Sequence, residues 1–252
     1  MKILLTMLLL LGPFKILAEE EIVPEPKKDE LIFNNELDNI IAPFTYHSSA
    51  VMFLGGLGTY LVFEDNYREK KKRRIDDGDK PWRDIGDALG WGPLPLFYAG
   101  IMGTSYLFSD DRANGQYGKK TEYVLKSVIY TALATFTLKT LIDQRRPKDK
   151  LKEDSFPSGH ASSSFAFSTA IWMVHGPYWG SLATALAAWV SYSRIDDGSH
   201  YWHDSVFGMT LGISYALGIY NNHFKRELPF QFAVVPVHKG LGLLSHMSFN
   251  LY

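Results

Sequence analysis

The chain has 252 residues, 46% of them apolar and 14% aromatic, with a formal net charge of −1 and no cysteine. That composition supports a buried core and excludes wholesale disorder. The near-zero charge argues against a nucleic-acid partner, which leaves a basic footprint, and the lack of cysteine excludes disulfides, thiol catalysis and thiolate metal sites.

The chain opens MKILLTMLLLLGPFKILAEE, with Lys2 ahead of the apolar run Ile3–Leu11 and Ile16-Leu17-Ala18 as a cleavage site. This pattern predicts a bacterial-type secretory signal over 1–18 and export to the periplasm or cell envelope; Gly12-Pro13 would break a structural helix there. Residues 19–40 read as a polar, proline-containing leader, 41–228 as the main helical domain and 229–252 as a separate tail.

Six apolar segments follow: Tyr46–Phe63, Leu89–Phe108, Val124–Ile142, Ala161–Val174, Trp179–Tyr192 and Ser205–Tyr220. Each is long for a strand and most are dominated by alanine, leucine, glycine and small polar residues, so the expected fold class is all-α, a bundle of about six core helices. In the tail, apolar residues alternate at Leu241, Leu243, Met247, Phe249 and Leu251, after a turn signal at His238-Lys239-Gly240. That predicts a short C-terminal β-hairpin. A membrane crossing needs about 20 apolar residues. Only Leu89–Phe108 and Val124–Ile142 reach that length, and the latter carries Lys126 and Lys139. The reading favours a soluble or peripheral protein, with an integral inner-membrane protein as the alternative. The basic run Lys70–Arg74 reads as a solvated helix face, or as a contact with an anionic membrane surface.

Three polar clusters sit at the ends of these segments. In KTLIDQRRP, Lys139 and Arg146 are seven residues apart, two helical turns, so both are expected on one helix face. Pro147 ends that helix, and Arg145 points away into solvent. In FPSGHAS, Ser158 suits the N-cap of the next helix, Gly159 permits close backbone approach, and His160 falls in a first turn whose free N–H groups attract anions. In SRIDDGSHYWHD, His200 and Asp204 are four apart. On a helix they would share a face, and the carboxylate would fix the imidazole tautomer. Arg194 closes the preceding helix, and His203, without an evident role, is assigned to the surface. Three cations, a helix N-terminus and two histidines fit a phosphoryl group in transfer. The competing use is a metal ion on His200, His203 and Asp204, which nearby arginines oppose.

Together the clusters resemble the signature of the type 2 phosphatidic-acid phosphatase superfamily, which includes lipid phosphate phosphatases, bacterial class A acid phosphatases and vanadium haloperoxidases. The matching residues are Lys139 with Arg146-Pro147, then Pro157-Ser158-Gly159-His160, then Ser193-Arg194 with His200 and Asp204. The resemblance covers roughly residues 90–220 and implies a mostly helical bundle. It implies that His200 attacks phosphorus and becomes phosphohistidine, that Asp204 orients it, and that His160 protonates the departing oxygen and later activates water. It assigns phosphate binding to Lys139, Arg146, Ser158, Gly159 and Arg194, with no metal and no cofactor. The expected substrate is a phosphomonoester or pyrophosphate, with lipid phosphates preferred and membrane association in keeping. The alternatives are an acid phosphatase acting on soluble esters, a vanadate-dependent haloperoxidase, and a non-enzymatic helical membrane protein.

Overall fold

The computed structural model describes residues 36–45, 48–69, 80–90, 92–108, 116–149, 151–224, 230–237 and 240–247. The expected signal segment 1–18, residues 19–35 of the expected leader and the basic run 70–74 lie outside the described residues. The helices in chain order are α1 (Glu36–Ile40), α2 (Ser49–Glu69), α3 (Pro81–Leu89), α4 (Pro93–Phe108), α5 (Gln116–Leu141), α6 (Gly159–Asp196) and α7 (Trp202–Phe224), with a 3₁₀ turn at Ala42–Phe44. The strands β1 (Phe230–Val237) and β2 (Gly240–Met247) pair antiparallel, Phe230 opposite Met247 and Val237 opposite Gly240.

Three of the six apolar segments fall wholly within helices, Ala161–Val174 and Trp179–Tyr192 in α6 and Ser205–Tyr220 in α7, while Val124–Ile142 overruns α5 by one residue and α2 holds residues 49–63 of Tyr46–Phe63. Gly176 interrupts α6 with φ 79°, and Pro177 follows it. Glycine adopts that left-handed conformation without the Cβ penalty, and the helix resumes with the proline in its first turn. The remaining segment, Leu89–Phe108, is divided. α3 ends at Gly90, and α4 restarts at Pro93. α3 was not anticipated as a separate element.

α7 is the central helix, flanked by α2, α5 and α6, while α3 packs on α6 and α4 on α5. Its small residues let α6 come close. A Cβ on Gly208 would lie 2.6 Å from Ser158 O, and one on Gly212 would lie 2.7 Å from Ala166 N and strike Ser162 O. The two helices therefore meet backbone to backbone near their N-termini. Further along, Tyr123, Val124, Ala170, Ile171, Leu211, Tyr215 and Ile219 form the apolar core. Burying an aliphatic side chain such as Ile219 contributes about 1.5–3 kcal/mol. Tyr123 keeps its hydroxyl satisfied by donating to Ala216 O at 3.0 Å, as a buried phenol requires.

The outer faces are strongly apolar. Leu54, Leu57 and Leu61 on α2, Leu96 and Phe97 on α4, and Ile129, Leu133 and Phe136 on α5 are all exposed. Among the described residues one helix, Tyr117–Leu141, is long and apolar enough to cross a membrane.

Candidate active site

Three backbone hydrogen bonds join the three polar clusters. Ser155 N donates to Gln144 O at 2.8 Å, Ser158 N to Asp204 O at 3.1 Å, and Lys148 N to Gly198 O at 2.9 Å. These bonds satisfy amides that the loops between helices would otherwise leave without partners. They gather Lys139, Arg146, Gly159, His160 and His200, with Phe136, Thr140 and Asp154, around one cavity of ≈ 280 Å³.

Lys139 stands in the last turn of α5. Arg146 does not continue that helix as the spacing predicted. α5 ends at Leu141, and the chain runs on irregularly, with Gln144 bridged to Asp154 and Arg146 N donating to Lys152 O at 3.0 Å. Pro147 keeps Arg146 out of the helical region, but the helix ends at Leu141, well before the proline that was expected to end it. The two cations still converge, now from a helix end and a loop. Arg145 is exposed and pairs with Glu153 at 3.0 Å.

Ser158 caps α6, its hydroxyl accepting from Ala161 N at 3.4 Å. It is wholly buried behind Gly159 and His160, which line the cavity. The His160 ring lies against the backbone of Gly90, where a Cβ would overlap it. Burial, followed by the charge of Arg194, pushes the His160 imidazole down to about 4.

His200 is 2% exposed and sits in the turn before α7 rather than on it. Its Nδ1 is 2.8 Å from Ser155 O and 3.7 Å from Asp204 Oδ2. The expected hydrogen bond to Asp204 is therefore replaced by one to a carbonyl, with the carboxylate close enough to act through its charge. A carbonyl can only accept, so Nδ1 carries the proton and Nε2 is left for the cavity. Burial lowers the His200 pKa. Burial alone would raise the Asp204 carboxyl, but His200 and His203 beside it hold it well below the usual carboxylate range.

His203 is the clearest departure from the sequence reading. It is 2% exposed, not on the surface, and its Nε2 lies 2.9 Å from Asp204 Oδ1. Neither imidazole joins a metal-ligand cluster: among the described residues no three His, Asp or Glu side chains gather in that way.

The cations are not bare. Arg146 makes a two-pronged pair with Asp154, 2.7 Å on each arm, and Lys139 donates to Asp154 O. Arg194 lies beside the cavity rather than in its lining. It reaches Asp87 Oδ1 at 2.7 Å and Asp197 Oδ2 at 2.6 Å. Asp87 is the residue that the sequence reading missed. It projects from α3, which Arg83 fastens to the end of α6 by a 2.7 Å pair with Asp196. The signal available in the sequence was Pro81 and Gly90 bracketing a short helix; nothing there pointed to the site.

Residues 121–228 match the model of the PAP2 superfamily. The match spans all three clusters, and the helical arrangement of the described residues is similar to that of a solved PAP2-type protein. That protein is a transmembrane PAP2-type phosphatidylglycerolphosphate phosphatase from Bacillus subtilis. It is 16% identical, with 73% of this chain and 98% of that one covered and a TM-score of 0.54. Aquifex aeolicus LpxE aligns over 78% of this chain and 99% of its own at 17% identity and a TM-score of 0.42. No curated protein matches the chain.

Proposed function

We propose that this PAP2 protein is a phosphatase that removes phosphate from lipid phosphomonoesters or pyrophosphates through a phosphohistidine, without a metal. The observation that carries the reading is the single cavity shared by Lys139, Arg146, His160 and His200. Nε2 of His200 attacks phosphorus, the P–O bond to the leaving group breaks, and His160 gives its proton to the departing oxygen. The phospho-imidazolium keeps its Nδ1 proton on Ser155 O, beside the Asp204 carboxylate. Water then loses a proton to His160 and attacks phosphorus. The P–N bond breaks, its electron pair returns to Nε2, and phosphate leaves.

The phosphate oxygens take the place of carboxylate oxygens on Arg146, with Lys139, Arg194, the Ser158 hydroxyl and the Gly159 amide completing the cradle. In the free pocket His160 is neutral above about pH 4. An arriving phosphate dianion favours its protonated form, as any nearby opposite charge does. The lipid preference rests on Phe136, which lines the cavity while 67% exposed, and on Leu133 one turn away, exposed on the same helix. An acyl or prenyl chain would find apolar surface at the mouth of the pocket. The apolar outer faces fit association with a membrane, and the segment 1–18 fits export to the envelope.

The test is phosphate release from phosphatidic acid, a prenyl pyrophosphate, p-nitrophenyl phosphate and a sugar phosphate, assayed in detergent-free and detergent extracts side by side. Release from the lipid esters in preference to the sugar phosphate is expected. No release from any of the four would remove the phosphatase reading.

A further inference from the structure

Asp204 is more heavily engaged than a histidine-orienting carboxylate needs to be. Its Oδ2 accepts from the Ser155 hydroxyl at 2.6 Å and from Tyr201 N at 2.8 Å. Its Oδ1 lies 2.9 Å from His203 Nε2 and 3.2 Å from Gln144 Nε2. Lys139 and His200 face the same carboxylate from α5 and from the turn before α7. Every lone pair directed away from His200 is thereby occupied. His203 is unusual in this group. Its other ring nitrogen, Nδ1, is buried with no partner among the described residues, so the ring's polar contacts lie on the Nε2 side, at Asp204 Oδ1 and at the Gln144 side-chain amide 2.8 Å away. The ring is held there by aromatic walls: Tyr201 stacks on it at 5.3 Å, and Phe63 meets it edge-on at 4.9 Å. Placing an imidazole among aromatic rings with one nitrogen unsatisfied is costly. A hydrocarbon ring would fill the same space at lower cost, unless the Nε2 donor has a task.

We propose that His203 is a positioning residue for the phosphoryl transfer, holding the Asp204 carboxylate ionised and aimed at His200. The chain is then a relay of two imidazoles on one carboxylate, His203–Asp204–His200, with the charge on Asp204 reserved for the moment at which His200 becomes cationic. The effect falls on the transition state, where that cation forms, and not on phosphate binding, which the cradle on the other side of His200 performs. This inference rests on the phosphatase reading above.

The experiment compares the full-length wild type with H203F, H203Q and Q144L on p-nitrophenyl phosphate, with melting temperature measured for each. Phe keeps the ring among Tyr201 and Phe63 but has no donor, whereas the Gln amide reaches about as far as Nε2 and restores one. The expected result is a kcat about tenfold lower for H203F with KM unchanged, as for loss of one hydrogen bond to a charge. H203Q should return to within about threefold of the wild type, and Q144L should show a smaller loss of the same kind. Wild-type kcat in a folded H203F overturns the inference while leaving the phosphatase reading in place. So does an equal loss in H203F and H203Q, which marks a packing role. If H203F does not fold, Q144L decides, and an unchanged kcat there overturns the proposal. If the wild type hydrolyses none of the four esters named above, both readings fall together.

Discussion

Asp87 Oδ1 lies 2.9 Å from His160 Nε2, so the nitrogen expected to serve the leaving group is met by a carboxylate from a separate helix. The same oxygen holds Arg194 at 2.7 Å. Asp87 raises the proton affinity of His160, whereas Arg194 lowers it. D87N therefore leaves His160 less often protonated and so less often able to act as the general acid. Alkyl esters, which need full protonation of the departing oxygen, should lose about tenfold in kcat, and p-nitrophenyl phosphate, whose leaving group needs little help, should lose much less. Equal losses on both substrates would show that Asp87 acts on phosphate binding instead.

His200 and His160 have separable tasks in the proposed mechanism. H200A removes the nucleophile and should abolish turnover on every ester. H160A should cost about 10²–10⁴-fold on alkyl esters while leaving faint activity on good leaving groups. Rapid-quench labelling from a ³²P-ester should trap an acid-labile phosphoenzyme in the wild type and none in H200A.

Burial holds both histidines below the ordinary imidazole value, His160 at about 4. The unfolded chain then binds protons that the folded chain refuses. Stability is fully present above about pH 6.5 and declines as pH falls toward 4. The wild-type melting temperature should drop across that window, and the drop should be shallower in H160N. A melting profile flat from pH 7 to pH 4 in the wild type would contradict the buried, neutral state of these rings.

The approach of α6 to α7 is what brings Ser158 against Asp204. G212A inserts a methyl group between two backbones, against Ala166 N at 2.7 Å and Ser162 O, with no flexible side chain to yield. We expect destabilisation of about 1–3 kcal/mol, read as a lower melting temperature. G58A is the control: its Cβ would lie no nearer than 4.0 Å to any side chain or backbone of another element, and it should change stability far less.

Much of the fold was legible because helix boundaries are local. Gly176-Pro177 divides one long apolar stretch, Ser158 caps α6, and small residues on α7 announce close packing. These are properties of residues and their immediate neighbours, and the chain states them without a partner. The same holds for the three polar clusters, whose residue types and spacing point to phosphate chemistry before any distance is known.

What the order of residues could not reveal depends on groups far apart in the chain. Lys139 and Arg146 seemed to share a helix face, yet they meet from a helix end and a loop held by Ser155 N donating to Gln144 O and Arg146 N donating to Lys152 O. His203 looked superfluous on a one-dimensional reading, because its value lies in a carboxylate oxygen and a wall of rings contributed by Phe63 and Tyr201. Asp87 carried no sign of its place beside His160. Residue order alone announced a helical chain whose segment 121–228 matches the PAP2 superfamily and carries the residues for phosphate chemistry. Only the tertiary structure decided which carboxylate restrains which cation and which carbonyl holds the His200 proton. Such pairings depend on distances of about 3 Å between groups brought together from separate helices, and local spacing does not encode those distances.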